Sequence, residues 1–187
     1  MTHTAIQISG VETKALLLRE IQASDARAFA DYMLRDDFQR TIAMRHKSAL
    51  EVQRFVARCV RRQALPNRTS FHLACDLKLT SSVIGDGFIV LHRPKSAELG
   101  WSVHPDMWGR GFGTEIGNAL IGIAFEKLKC DTVWAKSFVE NRASIRLMER
   151  NGLTFDRKEV DMNVAEGVRT DVVYHSMNAD AYFDASY

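Results

Sequence analysis

Trp108 to Glu115 read WGRGFGTE, with Gly109, Gly111 and Gly113 alternating just ahead of a helical pattern. Glycine gives up more backbone freedom on folding than other residues, so a cluster of it marks a sharp turn or a close approach. At a helix start the first N–H groups have no intrahelical acceptor, and the helix dipole favours negative charge there. The bare backbone from Gly109 through Gly111, Phe112 and Gly113 to Thr114 therefore suits phosphate oxygens, with Arg110 adding charge at the rim. A hydrogen bond to a charged group contributes on the order of 1.5–3 kcal/mol, so several together hold a diphosphate. A plain glycine-rich turn is the alternative. The P-loop does not fit, because Thr114 and Glu115 stand where a Lys and then a Ser or Thr would follow the last glycine. The dinucleotide fingerprint does not fit either, since its last glycine, counted from Gly111 and Gly113, falls on Ile116.

Other reactive side chains form no such pattern. The six histidines, His3, His46, His72, His92, His104 and His175, show no paired or HExxH spacing, so no metal site is expected. His104 is read as a loop residue that can reach substrate. The three cysteines, Cys59, Cys75 and Cys130, are scattered and odd in number, which points to free thiols in a reducing compartment. Cys130 has no visible His or Asp partner and is not read as a nucleophile. Trp101, Trp108 and Trp134 are read as core or rim aromatics.

The elements that must carry these residues are read from periodicity and turn chemistry. Ala15–Ile21 reads as a strand and QASDARAFADYM as a helix, with Ser24 as cap. SALEVQRFVARCVRRQ reads as a second helix with a Ser48–Glu51 capping box and an apolar stripe of Leu50, Phe55, Val56, Cys59 and Val60. Arg58, Arg61 and Arg62 form its solvated face. SFHLACDL alternates as a strand with Phe71, Leu73 and Cys75 on one face. VIGDGFIVLH follows as a strand, with a bulge or turn expected at Gly85–Gly87, and RPKS turns into AELGWSV. After the glycine loop, TEIGNALIGIAFEKLK carries a helical apolar face of Ile116, Leu120, Ile123 and Leu128. DTVWAKSFV is a strand, NRASIRLMERNG a helix opened by Asn141 and closed by a left-handed Gly152, and the remainder a β-hairpin turning at EGVR. The order β, α, α, β, β, β, α, β, α, β, β describes an α+β domain around a mixed sheet.

At 187 residues, 46% hydrophobic and 26% charged, the chain suits one domain spanning 1–187 with a sizeable core. A net charge of +2 with no dense basic tract argues against nucleic acid. The opening MTHTAIQISG lacks the features of a secretion signal, and no uncharged apolar run is long enough to cross a bilayer. The expectation is a cytoplasmic protein with no membrane partner.

ELGWSVHPDMWGRGFGTEIGNALIGIAF resembles the acetyl-CoA-binding core of the GNAT acyltransferases, in which a strand leads into Q/R-x-x-G-x-G/A and a long helix. Trp108 replaces the usual Gln or Arg. The W-G-x-G-[YF]-[AG]-T-E form, together with NRASIRLMERNGLTF and the early LLLREIQASDARAFADYM, resembles the branch of ribosomal-protein-alanine N-acetyltransferases. The resemblance spans nearly the whole chain. It implies a mostly antiparallel central sheet flanked by helices, with a splay between the fourth and fifth predicted strands, those ending at Val103 and beginning at Thr132. It further implies acetyl-CoA as co-substrate. Backbone groups of Ser102 and Val103 would pair with the pantetheine amides, N–H groups from Gly109 to Thr114 would bind the diphosphate, and Asn141 would reach the pantetheine arm as well as capping its helix.

The implied reaction moves an acetyl group from thioester to amine. A lysine-type amine needs on the order of 4–5 kcal/mol to deprotonate at pH 7, and an α-amine about 1 kcal/mol. Glu98, on the central strand, is the candidate base through water, or else an ordinary strand carboxylate. Related enzymes carry a tyrosine as acid for the departing thiolate, and Met148 stands at that position here. Ser144 is the candidate to hydrogen-bond the sulfur, or else a capping residue. The acceptor implied is a primary amine, either a protein or peptide N-terminus or a small molecule such as a polyamine, amino acid or antibiotic. A non-catalytic acyl-CoA-binding regulatory domain is the alternative of another class. Monomer and homodimer are both compatible with the resemblance.

Overall fold

Strand periodicity in this chain gives way three times to helical periodicity in the expected order, and the elements fall accordingly. The computed structural model describes residues 8, 10–42, 45–92, 94–165 and 168–184. In chain order these form β1 (Val11–Glu12), β2 (Leu16–Glu20), α1 (Ala26–Met33), α2 (Asp36–Gln39), α3 (Ala49–Gln63), β3 (Ser70–Leu77), β4 (Ser82–His92) and β5 (Ser96–Val103). Then follow α4 (Phe112–Gly122), which runs into a π-turn over Ile123–Lys127, β6 (Thr132–Phe138), α5 (Arg142–Arg150), β7 (Thr154–Ala165), β8 (Val168–Asn178) and α6 (Ala179–Asp184). The EGVR turn and Arg93 of the RPKS turn lie partly outside the described residues.

The described strands form one sheet in the order β1-β2-β3-β4-β5-β6-β8-β7. Neighbours are antiparallel except β5 and β6, which run parallel. That parallel ladder has only the pairs Ser96↔Thr132, Ala97↔Val133 and Glu98↔Trp134, after which the strands part. The mixed, mostly antiparallel sheet expected from the resemblance is therefore present, and so is its splay.

Alternation along each strand divides the core between the two faces of the sheet. Phe71, Leu73 and Cys75 of β3 pack with Ile116, Leu120 and Phe125 beneath α4. Ala74, pointing the other way, joins Phe29, Tyr32, Val52 and Val56 under α1 and α3. Burying each such aliphatic or aromatic side chain contributes about 1.5–3 kcal/mol, so the sheet is held from both sides.

Several local expectations change. Leu50 is 54% exposed, and Val52 takes the buried position on α3, because the stripe is phased by its packing against α1. Ser24 is not the cap of the first helix. Asp25 stands at the N-cap position but makes no side-chain capping bond to α1; its carboxylate turns back, accepting from the Gln22 N–H at 2.7 Å and from Arg19 Nη1 at 2.8 Å. The irregularity expected at Gly85–Gly87 falls at Ile84, which has no partner where the register steps from Cys75↔Gly85 to Asp76↔Val83. Strand β1 and helices α2 and α6 are additional to the expected order.

Candidate functional site

The glycine loop leaves β5 through a 3-10 turn, Pro105–Met107, whose N-cap is His104: its Nδ1 accepts from the Asp106 N–H at 3.1 Å. Trp108 follows, and its indole N–H donates to the Val103 carbonyl at 2.7 Å, tying the loop to the end of the strand. Gly109 and Gly111 have φ of +75° and +85°, a conformation that costs other L-residues roughly 1–2 kcal/mol. A Cβ on either would meet nothing within 4 Å, so the backbone turn, and not crowding, requires glycine. Gly111 is the N-cap of α4 and has no side chain with which to cap it. The Glu115 N–H is the first to find its helical partner, the Gly111 carbonyl at 3.1 Å, so the N–H groups of Phe112, Gly113 and Thr114 have none within the helix.

Those groups open into a groove of about 490 Å³ between α4 and α5. Gly109, Gly111, Phe112, Gly113 and Thr114 line it, with Ser102, Val103, Asn141 and Ser144. Arg110 is exposed and does not line it, whereas Arg146 and Arg150 of α5 do. A second cleft of about 360 Å³ lies between the parted ends of β5 and β6 and holds Glu98, Lys136, Ser144 and Met148 on its walls. Thr41, Ile42, Trp101, Ser144 and Leu147 line both, so the groove and the cleft adjoin.

The main-chain direction along β5 decides which groups face the gap. In an antiparallel pair, alternate residues exchange their hydrogen bonds with the partner strand. The His104 N–H donates to Ile84 O at 2.7 Å, and the β4–β5 register is unbroken from Gly85↔Val103 to His92↔Ser96. The main chain of Ser102 therefore faces β4, and that of Trp101 and Val103 faces the gap. Ser102 is turned inward as well: its hydroxyl and the Tyr32 hydroxyl, the latter at 2.7 Å, both donate to the buried Asp86. Burial pushes the Asp86 carboxyl above the ordinary carboxylate value, and burial followed by the adjacent Asp86 pushes Tyr32 up.

Asn141 caps α5, its Oδ1 accepting from the Ser144 N–H at 3.1 Å while its Nδ2 donates to Thr41 O at 3.4 Å. Ser144 is thus the capped residue and not the cap, and its hydroxyl has no hydrogen-bond partner among the described residues. Glu98 sits at the fork of the two strands, with Lys136 Nζ at 3.1 Å and His92 Nε2 at 3.7 Å. Met148 is 2% exposed. No group of three or more metal-ligating side chains occurs among the described residues.

Sequence reasoning missed the part played by four residues. Arg146 and Arg150 stand four apart on α5, a spacing legible in RASIRLMER that reads equally well as a solvated face. Trp108, expected as a core or rim aromatic, also anchors the loop through its indole bond to Val103. Glu115, in the first turn of α4, accepts at Oε1 from the Ala15 N–H at 2.6 Å, the Leu16 N–H at 3.3 Å and the Thr13 hydroxyl. That one carboxylate fixes the start of α4 to the β1–β2 turn about 100 residues away in the chain.

A strand parted from its neighbour beside an uncapped, glycine-opened helix defines a class, and comparison with known proteins names it. The family model "Acetyltransferase (GNAT) domain" matches residues 15–154, and the chain belongs to that family. It is an acyltransferase, an N-acetyltransferase with acetyl-CoA as donor. The uncharacterized N-acetyltransferase YoaA of Bacillus subtilis is 26% identical over 149 residues, 76% of this chain and 81% of that one. Solved structures that share the fold include the following two. The ribosomal-protein-S5-alanine acetyltransferase of Vibrio fischeri has a TM-score of 0.78 at 18% identity, over 93% of this chain and 98% of that one. The spermidine N-acetyltransferase of Vibrio cholerae, in complex with CoA and spermine, has a TM-score of 0.78 at 17% identity, over 91% and 99%.

Proposed function

We propose that this protein carries an acetyl group directly from acetyl-CoA to the α-amine of a peptide, the two substrates meeting where the groove and the cleft join. The observation that carries the reading is that the groove at the uncapped start of α4 adjoins the cleft in the gap between β5 and β6. The groove suits coenzyme A on three counts: unpaired amide donors, two guanidinium groups and an open strand edge. The amides of Phe112, Gly113 and Thr114 and the loop from Gly109 bind the diphosphate. Arg146 and Arg150, rather than Arg110, supply the positive charge. The pantetheine amides pair with the main chain of Trp101 and Val103, and Asn141 faces the same arm from α5. Ser102 acts one step back, holding β5 against Asp86.

The acceptor must lose a proton before it attacks. An α-amine needs only about 1 kcal/mol for this at pH 7, which suits a carboxylate already engaged by Lys136. Glu98 takes that proton through water. Ser144 donates a hydrogen bond to the departing sulfur, a thiolate stable enough that Met148 can replace an acidic residue. Holding both reactants where the groove and the cleft adjoin supplies roughly 7–11 kcal/mol of the barrier. Calorimetry with coenzyme A and thiol release from acetyl-CoA test the reading together. Glu98→Gln with Ser144→Ala lowers thiol release at least tenfold and leaves coenzyme A affinity unchanged. Failure of the unaltered protein to bind coenzyme A overturns the proposal.

A further inference from the structure

Glu98 and Lys136 are the charged side chains on the walls of the acceptor cleft among the described residues, and they face each other at 3.1 Å. The remaining walls are mainly apolar, with Phe88, Trp101, Phe138, Met162, Val164 and Tyr174 prominent. At the Tyr174 side the carboxylate of Glu159 is also engaged, accepting from Arg157 Nε at 3.0 Å and from the Tyr174 hydroxyl at 3.3 Å. The Arg157 guanidinium itself lies 3.7 Å from the centroid of the Tyr174 ring. A ligand with two or more ammonium groups thus meets, on these walls, one neutralised carboxylate and the ammonium that neutralises it. Taking a second cation out of water into this cleft without a free counter-charge is costly.

The main chain of β6 adds a second observation. The Val139 N–H donates to Asp171 O at 3.1 Å and the Ala179 N–H to Asp131 O at 3.0 Å, so odd-numbered residues of β6 face β8. Lys136 is even-numbered and lies beyond the last β5–β6 pair, Glu98↔Trp134. Its N–H and C=O therefore face the gap with no strand opposite, an edge that matches the main chain of an extended peptide.

Resting on the acetyltransferase reading above, we infer that Lys136 is a specificity determinant: it cancels Glu98 so that the cleft accepts an amine with one positive charge on an apolar body, such as a peptide N-terminus beginning with an apolar residue, and rejects polyamines. Its side chain sets the charge and its main chain faces the peptide.

The test measures kcat/KM by thiol release at saturating acetyl-CoA. The acceptors are tripeptide amides beginning with an apolar residue, the same peptides beginning with lysine, and spermidine. The apolar peptides are expected to exceed spermidine by about tenfold or more, the factor that one uncompensated charge contact of about 1.4 kcal/mol produces. Lys136→Met, which removes the ammonium and keeps the stem, is expected to raise the spermidine-to-peptide ratio at least severalfold. A general loss of fold or of catalysis does not move that ratio. Spermidine as the better substrate, or a ratio unchanged in Lys136→Met, overturns the inference while leaving the acetyltransferase reading intact. No thiol release with any acceptor overturns the acetyltransferase reading and the inference with it.

Discussion

Two helices begin on opposite sides of the same groove, and they begin differently. Helix α5 closes its own N-terminus: the Asn141 side chain accepts from the Ser144 N–H, and the same side chain reaches Thr41. Helix α4 starts from a left-handed glycine that has nothing to cap with, and its opening turn faces the groove. Both starts carry the same dipole. What separates them is whether the chain satisfies its own donors or leaves them for a guest. A bare helix start is a cost in the isolated protein and a binding site in the complex.

The largest expected effect comes from closing the open start. Gly111→Val forces a β-branched residue into the left-handed region, and coenzyme A affinity is expected to fall more than 100-fold by calorimetry, with a stability loss of about 1–2 kcal/mol in urea unfolding. Affinity within a few fold of the unaltered protein would mean that the loop conformation is irrelevant to the ligand. The next effect belongs to the charges that α5 contributes. Arg146→Ala with Arg150→Ala is expected to weaken coenzyme A binding by about 10–100-fold and to flatten its salt dependence. An unchanged salt slope would exclude both residues from phosphate contact.

Two smaller effects sharpen the contrast. Glu115→Gln keeps the shape but removes the charge that gathers the Thr13, Ala15 and Leu16 donors, and is expected to cost about 1–2 kcal/mol of stability. Coenzyme A affinity should drop with it if the anchor sets the angle of α4, whereas a purely structural role would lower stability alone. Asn141→Ala is expected to cost about 1 kcal/mol through the lost cap of α5. Amide exchange compares the two starts directly. Added coenzyme A should slow exchange at Phe112, Gly113 and Thr114 and leave the Ser144 amide, already bonded to Asn141, nearly unaltered.

Much of this was legible from residues alone. The glycine spacing marked the open start of α4, because few physical reasons justify three glycines ahead of an apolar helix. Asn141 and Gly152 bracketed α5 for similarly local reasons. What escaped was non-local or depended on phase. Leu50 and Val52 fit the α3 stripe about equally until α1 packs against it. Ser102 and Val103 are adjacent, yet which of them faces the gap depends on pairing with β4, which a single strand does not encode. Glu115 finds its donors at the far end of the chain. Arg146 and Arg150 looked like ordinary solvated charge, and only the placement of α5 beside α4 turns them toward the groove. Nothing in the sequence links Glu98 to Lys136 across the fork, so their pairing is visible only in the fold.

The three-rung ladder between β5 and β6 has a consequence for the life of the unliganded chain. A sheet that opens in its interior exposes two raw borders instead of sealing them, and such borders invite foreign strands. A molecule of donor lying along one of them, as proposed above, would act as a chemical splint as well as a reagent. Shelf life and resistance to clumping should therefore track the supply of coenzyme A more closely than they track the supply of any acceptor.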